Sequence, residues 1–291
     1  MKFMDKDKAL FGIIGDPVEH SLSPLMHNTA IQELGVNASY ELFPLKEDEL
    51  DDFFRELRDE SNPIFGLNVT VPYKERVIDY LDTLAPFAEK VGAVNTIMIT
   101  ENRKLIGYNT DAPGFLSHLS ELKFDIANKR IAILGSGGSA RAILATLCML
   151  GERPESIKIY NRTQARTDEL IDDLGERIDL SIVESVRSVD DLNIELSDLL
   201  INATSLGLNK GDACLVDKEL LHNNMLVYDL VYNPPETTLL KIAKEVGAQT
   251  SNGLGMLYYQ GVLAFQHWAN IQLDEDIKMK MRKSLEEGVR Q

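Results

Sequence analysis

Short apolar runs alternate with longer stretches of helical period from one end of the chain to the other. Leu10–Gly15, Tyr40–Leu45 and Phe65–Val71 read as strands. Pro24–Leu34, Glu47–Arg58 and a segment from about Tyr73 to Leu81 read as helices. Ser23 is the expected N-cap of the first helix, with Pro24 at its first position and Gly35 closing it. Ala93–Thr100 and Lys104–Tyr108 predict two strands joined by the polar turn Glu101-Asn102-Arg103. A helix over roughly Pro113–Leu122 follows, and then the short polar segment Lys123–Lys129, where a domain boundary is expected.

Beyond that boundary the pattern is β-α-β. Strands are predicted at 130–134, Ser156–Tyr160, Leu180–Glu184, Leu199–Ala203 and Leu226–Leu230, with helices at 139–150 and 163–174 between the first three. Leu254–Ala269 and Asp274–Glu287 read as closing helices. The chain is therefore expected to be α/β throughout. An N-terminal α/β domain spans 1–122, a C-terminal doubly wound domain spans 123–253, and the helical segment 254–291 packs back on the first domain. Tyr258, Tyr259 and Trp268 are expected on the inner face of that packing.

Where the first strand of the second half ends, residues 135–140 read GSGGSA. Gly135, Gly137 and Ala140 satisfy G-x-G-x-x-[GA] between a strand and a helix, the context in which that pattern binds a dinucleotide pyrophosphate. The first glycine permits the tight turn, and the second lets backbone approach the anion. The small third residue lets the helix pack closely, while the helix N-terminus offers its N–H groups. The next strand runs into Asn161-Arg162-Thr163, with Arg166 close behind and no carboxylate at its tip. Guanidinium groups there suit a ribose 2′-phosphate, so NADP(H) is expected rather than NAD(H).

In the N-terminal half, polar residues stand at strand ends, where open α/β sheets bind ligands. They are Ser21 and Ser23 in HSLSPLMHN, Thr70 and Lys74 in NVTVPYKE, Asn95 in AVNT and Asp111 in GYNTDAPG. Hydroxyls, an amide, an ammonium and a carboxylate together suit a small polyhydroxylated acid. Lys74 is expected in the first turn of a helix, where the macrodipole disfavours a cation. A nearby Asp111 would favour one. A lysine so placed can give a proton to a forming alkoxide and take it back.

Bulk properties narrow the function classes. The 291 residues carry a formal net charge of −16, which argues against a broad nucleic-acid or anionic-membrane surface. Two cysteines, Cys148 and Cys214, make no disulfide framework and fit a reducing, cytoplasmic setting. Cys148, among apolar neighbours, is expected to be a buried small hydrophobe. The opening MKFMDKDK has no apolar signal core, and no apolar stretch reaches membrane-spanning length. The five histidines, His20, His27, His118, His222 and His267, show no ligand spacing, so no metal is expected.

From about Phe11 to Trp268 the ordered motifs SLSP, NVTVPYKE, AVNT, GYNTD, GSGGSAR, NRT, NATSLG, DLVYNP and NGLGMLYYQG resemble the shikimate dehydrogenase family. The resemblance implies reversible, NADPH-dependent reduction of 3-dehydroshikimate to shikimate, on the route to aromatic amino acids. It implies that Ser21 and Ser23 hold the substrate carboxylate and that Thr70, Asn95, Asp111 and Gln260 bind its hydroxyls. Tyr232 would help close the pocket, and Lys74, paired with Asp111, would be the acid/base. It implies further that Gly135, Ser136, Gly137, Gly138, Ser139, Ala140, Asn161, Arg162, Thr163 and Arg166 contact NADP. Backbone near Leu230 and Gly253 would line its nicotinamide end. The family contains monomers and homodimers, and a homodimer is the expectation. The alternatives are a quinate/shikimate dehydrogenase using NAD or both cofactors, and a non-catalytic nucleotide- or metabolite-binding regulator. Intact serines and the Thr163/Arg166 pair favour shikimate with NADP over the first, and Lys74 with Asp111 speaks against the second.

Overall fold

The computed structural model describes residues 9–290. The opening MKFMDKDK, on which the expectation about a signal core rests, lies outside the described residues. By its contacts the chain forms two compact units, one running to Gly114 and resuming at Leu257, the other Phe115–Met256.

In the first unit six strands are ordered β2-β1-β3-β5-β6-β4. They are β1 (Ala9–Gly15), β2 (Ala38–Pro44), β3 (Ile64–Val69), β4 (Thr83–Leu84), β5 (Thr96–Ile99) and β6 (Leu105–Tyr108). β1 runs parallel to β2 and β3, whereas β5 pairs antiparallel with both β3 and β6. Tyr40 and Leu67 are buried in the middle of their strands, and Leu50, Phe54, Val77 and Ile97 close one core against the sheet. Trp268, on the helix α8 (Leu254–Ala269), donates its indole N–H to the carbonyl of Ile97 at 2.9 Å. A side chain on Gly66 would come within 2.5 Å of that indole, so this strand position has room only for hydrogen.

The second unit is a parallel sheet ordered β12-β11-β10-β7-β8-β9. Its strands are β7 (Arg130–Leu134), β8 (Ser156–Tyr160), β9 (Val183–Ser185), β10 (Leu199–Asn202), β11 (Leu226–Asp229) and β12 (Gln249–Asn252). Counted within the unit, this is the doubly wound dinucleotide order, with its reversal between β7 and β10. The central strands RIAIL, LLIN and LVYD are apolar along almost their whole length because helices cover both faces of such a sheet. Edge strand β12, QTSN, is polar and carries no hydrophobic signal. It and the eight-residue helix α7 (Thr238–Glu245) go beyond the sequence reading, as do β4 and the six-residue α3 (Pro86–Val91).

Two local expectations are corrected. Ser23 is the first residue of helix α1 (Ser23–Glu33) rather than its N-cap: Leu22 holds that position, and the Ser23 N–H goes to the Ser21 hydroxyl at 3.3 Å. The helix expected over 73–81 is a 3₁₀ segment, Arg76–Tyr80, preceded by a turn that contains Lys74. The Lys74 carbonyl accepts from Val94 N–H at 2.7 Å, a partner outside the local segment. No α-helix starts at Lys74, and the macrodipole argument does not apply to it.

Candidate active site

Sheet pairing assembles the polar residues of the first unit. Thr96 stands opposite Tyr108 in the β5–β6 ladder, which sets Asn95 beside the Asn109-Thr110-Asp111 corner that opens helix α4 (Asp111–Glu121). The same corner receives Lys74, whose Nζ lies 2.5 Å from Asp111 Oδ2, both groups almost fully buried. Asn95 Nδ2 donates to the other carboxylate oxygen, Oδ1, at 2.8 Å.

The orientation of the Asn95 amide is forced. Its Oδ1 accepts the Thr110 backbone N–H at 2.7 Å, a group that can only donate, so Nδ2 must face the carboxylate. Gln260, from α8, brings its Oε1 to 3.3 Å from Asn95 Nδ2 and is held by a bond from its own Nε2 to the Leu257 carbonyl. Behind Asn95, Asn68 Nδ2 donates to the Asn95 carbonyl and to Thr96 Oγ1, and Tyr40 Oη donates to Asn68 Oδ1. Hydrogen bonds thus run unbroken from the Tyr40 phenol to the Lys74 ammonium. Such a network holds its members in single orientations.

Lys74, Asn95, Asp111 and Gln260 therefore share one hydrogen-bonded group. Ser21, Ser23 and Thr70 do not belong to it. They follow the ends of the adjacent strands β1 and β3, and a side chain on Gly15 would touch both Thr70 and Val18. The hydroxyls of Ser23 and Thr70 have no partner among the described residues. Tyr232 belongs to the second unit and is half-buried. Asn68, Thr96 and Thr110 complete the network but were not singled out from sequence. The signal available for them is a polar side chain inside an otherwise apolar strand or beside a residue already chosen.

In the second unit Gly135 follows β7 with φ of +101°, and a Cβ there would lie 2.8 Å from the Ala203 carbonyl beyond β10. The position requires glycine on both counts. A Cβ at Gly137 would meet nothing, so that side of the turn is open. Helix α5 (Gly138–Met149) starts there with no side-chain cap, and Ala140 is buried beneath it. The Ser136 hydroxyl is buried and has no hydrogen-bond partner among the described residues. At the tip of β8, Arg162 and Arg166 are exposed and form no ion pair among the described residues. Asn161 braces the turn through the Thr163 carbonyl at 3.0 Å, and Thr163 begins helix α6 (Gln164–Gly175) without capping it. Open glycine backbone, uncapped helix starts, an orphan hydroxyl and two unpaired guanidinium groups fit a phosphorylated dinucleotide. Leu230 follows β11, and a Cβ on Gly253 would fall 2.0 Å from the Leu230 carbonyl.

Residues 13–97 match the family model described as the shikimate dehydrogenase substrate binding domain. The NADP(+) shikimate dehydrogenase of Methanopyrus kandleri is 40% identical over 292 residues, covering 99% of this chain and 98% of its own. The chain belongs to the shikimate dehydrogenase family. Among solved members, the Thermus thermophilus shikimate 5-dehydrogenase in complex with NADP(H) and shikimate matches with a TM-score of 0.81 at 34% identity. That alignment covers 96% of this chain and 99% of the other. The quinate dehydrogenase of Corynebacterium glutamicum in complex with NAD matches with a TM-score of 0.85 at 27% identity, over 97% and 100%. The shikimate dehydrogenase fold accordingly extends over essentially the whole chain.

Membrane and metal readings add nothing to this picture. No helix among the described residues is long and apolar enough to cross a membrane, and none of their His, Cys, Asp and Glu side chains gather as a metal site. Cys148 is buried, which pushes its thiol up to about 12 and makes it a poor nucleophile.

Proposed function

We propose that this chain is an NADP-dependent shikimate dehydrogenase, interconverting 3-dehydroshikimate and shikimate. Residues 1–122 with 254–291 handle the substrate, and residues 123–253 handle the cofactor. The observation that carries the reading is the buried Lys74–Asp111 pair, braced by Asn95 and Gln260. Burying an ion pair contributes little to stability on balance, so stability alone does not account for this pair, and a chemical use does.

When bound, NADPH supplies the hydride. The protein's part is to hold the ring carbonyl and move one proton. Lys74 Nζ gives its proton to the carbonyl oxygen as that oxygen becomes an alkoxide, and in the reverse direction the neutral amine takes it back. Asp111 keeps the ammonium aimed and offsets its charge, while Asn95 holds the carboxylate through its second oxygen. Gln260 and Thr70 present polar groups for ring hydroxyls, and Ser21 and Ser23 present hydroxyls for the carboxylate. Tyr232 closes the pocket in this scheme. For the cofactor, residues 135–140 would take the pyrophosphate, Asn161, Arg162, Thr163 and Arg166 would take the 2′-phosphate, and backbone near Leu230 and Gly253 would line the nicotinamide end.

The deciding experiment is the absorbance change at 340 nm with shikimate and with quinate, each supplied with NADP⁺ and with NAD⁺. Shikimate with NADP⁺ is expected to be fastest. Fastest turnover of quinate with NAD⁺ would move the chain to the quinate branch, and no turnover in any of the four would overturn the enzymatic reading.

A further inference from the structure

One fully buried carboxylate has no place in the chemistry above. Asp229 ends β11 with no exposed surface and no cation paired with it among the described residues. Its Oδ1 accepts from Asn202 Nδ2 at 2.8 Å and from the Val231 backbone N–H at 3.0 Å, and its Oδ2 accepts from the Thr237 hydroxyl at 2.6 Å. Each partner fixes a different piece of chain. Asn202, at the end of β10, also holds the 203–206 loop through Thr204 and the Leu206 carbonyl. Thr237 caps helix α7 by accepting from Leu240 N–H. Val231 lies in the segment that follows β11, whose Leu230 N–H also bonds to the Asn202 carbonyl at 2.9 Å. One carboxylate thus ties together the loops leaving two adjacent parallel strands, on the side where such sheets bind ligands.

An uncompensated buried carboxylate is costly, and burial pushes the Asp229 carboxyl above its ordinary range while the three donors pull it back. An apolar residue would fill the space without that cost but could not collect three donors at one point.

We propose that Asp229, acting with Asn202 and Thr237, is the positioning residue for the Leu230–Tyr232 segment and so sets how the nicotinamide end of the cofactor docks. The inference rests on the dehydrogenase reading above. An asparagine at 229 keeps the shape and one oxygen for the Asn202 and Val231 donors, but it turns an NH₂ toward Thr237 where Oδ2 had accepted. The Thr237 hydroxyl must then swing its proton away or give up the contact. The Leu230–Val231 segment thereby loses its charged tie to the start of α7, while Arg162 and the glycine loop are untouched.

The test uses full-length Asp229→Asn, Thr237→Val and Thr237→Ser, measuring binding of 2′,5′-ADP and NADP⁺ by calorimetry and turnover of shikimate. 2′,5′-ADP carries only the adenosine end, so its Kd is expected within about twofold of wild type, as for a site independent of the change. Turnover by Asp229→Asn and Thr237→Val is expected to fall about 10- to 100-fold, the scale of a misplaced reacting group, and Thr237→Ser restores it. The gain in affinity from 2′,5′-ADP to NADP⁺ shrinks in the same two variants. Wild-type turnover in folded Thr237→Val would overturn the proposal, as would 2′,5′-ADP affinity falling in step with turnover. If Asp229→Asn does not fold, Thr237→Val and Thr237→Ser decide the matter. A wild-type chain that binds neither 2′,5′-ADP nor NADP⁺ removes the dehydrogenase reading itself, an outcome visible before any variant is made.

Discussion

Asn95 reaches Asp111 on the carboxylate oxygen that Lys74 does not use, so one carboxylate is held from both sides by an amide and an ammonium. That arrangement leaves Asp111 a single orientation. It also makes the three residues unequal when each is removed.

Lys74→Ala is expected to retain NADP⁺ binding and to lose at least about 100-fold in turnover, the usual scale for a general acid. It also leaves Asp111 buried without its cation, so the melting temperature falls. Turnover and NADP⁺ affinity measured on the same preparation check this, and wild-type turnover would remove Lys74 from the mechanism.

Asn95→Ala orphans two groups at once, the Thr110 N–H and Asp111 Oδ1. Each unsatisfied buried group costs about 1–3 kcal/mol, so chemical denaturation should show a loss in that range or above it. Because Asp111 is then free to turn, kcat/KM for shikimate falls while the Kd of NADP⁺ stays near wild type. Unchanged kinetics would mean that Asp111 needs no brace.

Arg162 is exposed and has no ion-pair partner among the described residues, so its removal exposes no new protein charge. Arg162→Ala should weaken NADP⁺ by about 1.5–3 kcal/mol, the value of a hydrogen bond to a charged group, and leave NAD⁺ nearly unchanged. Equal weakening of both cofactors would show that this guanidinium does not read the 2′-phosphate.

His27 gives the first unit an acid-sensitive point. Its ring is fully buried, stacked on Tyr40 at 4.4 Å, and neither nitrogen has a hydrogen-bond partner among the described residues. Burial holds its pKa down to about 3, against an ordinary 6.5, and outweighs the neighbouring Asn68, which acts in the opposite direction. Between those values the unfolded chain takes up a proton that the folded chain refuses. Stability from this group is therefore complete above pH 6.5 and falls as pH drops toward 3, by up to about 1.4 kcal/mol per pH unit. In His27→Phe the denaturation midpoint should fall less steeply over the same range. An identical slope would acquit His27.

What could be read along the chain was whatever operates over a few residues. The central parallel strands announce themselves as apolar runs, and helix α9 (Glu275–Gly288) by its helical period. GSGGSA, lying between a strand and a helix, marks the dinucleotide turn, because one position there needs a positive φ and no Cβ. The polar strand β12 and the short helices α3 and α7 were illegible for the same reason, since too few residues carry a period. The setting of Lys74 differs from the expected helix, and its carbonyl partner, Val94 N–H, is not local. Only the tertiary structure decided which polar residues meet. Lys74 and Asp111 are 37 positions apart and Asn95 and Gln260 are 165 apart, and what joins them is the β5–β6 register and the return of α8. Hydrogen bonds of that span depend on the packing of whole elements, which no short stretch of sequence encodes.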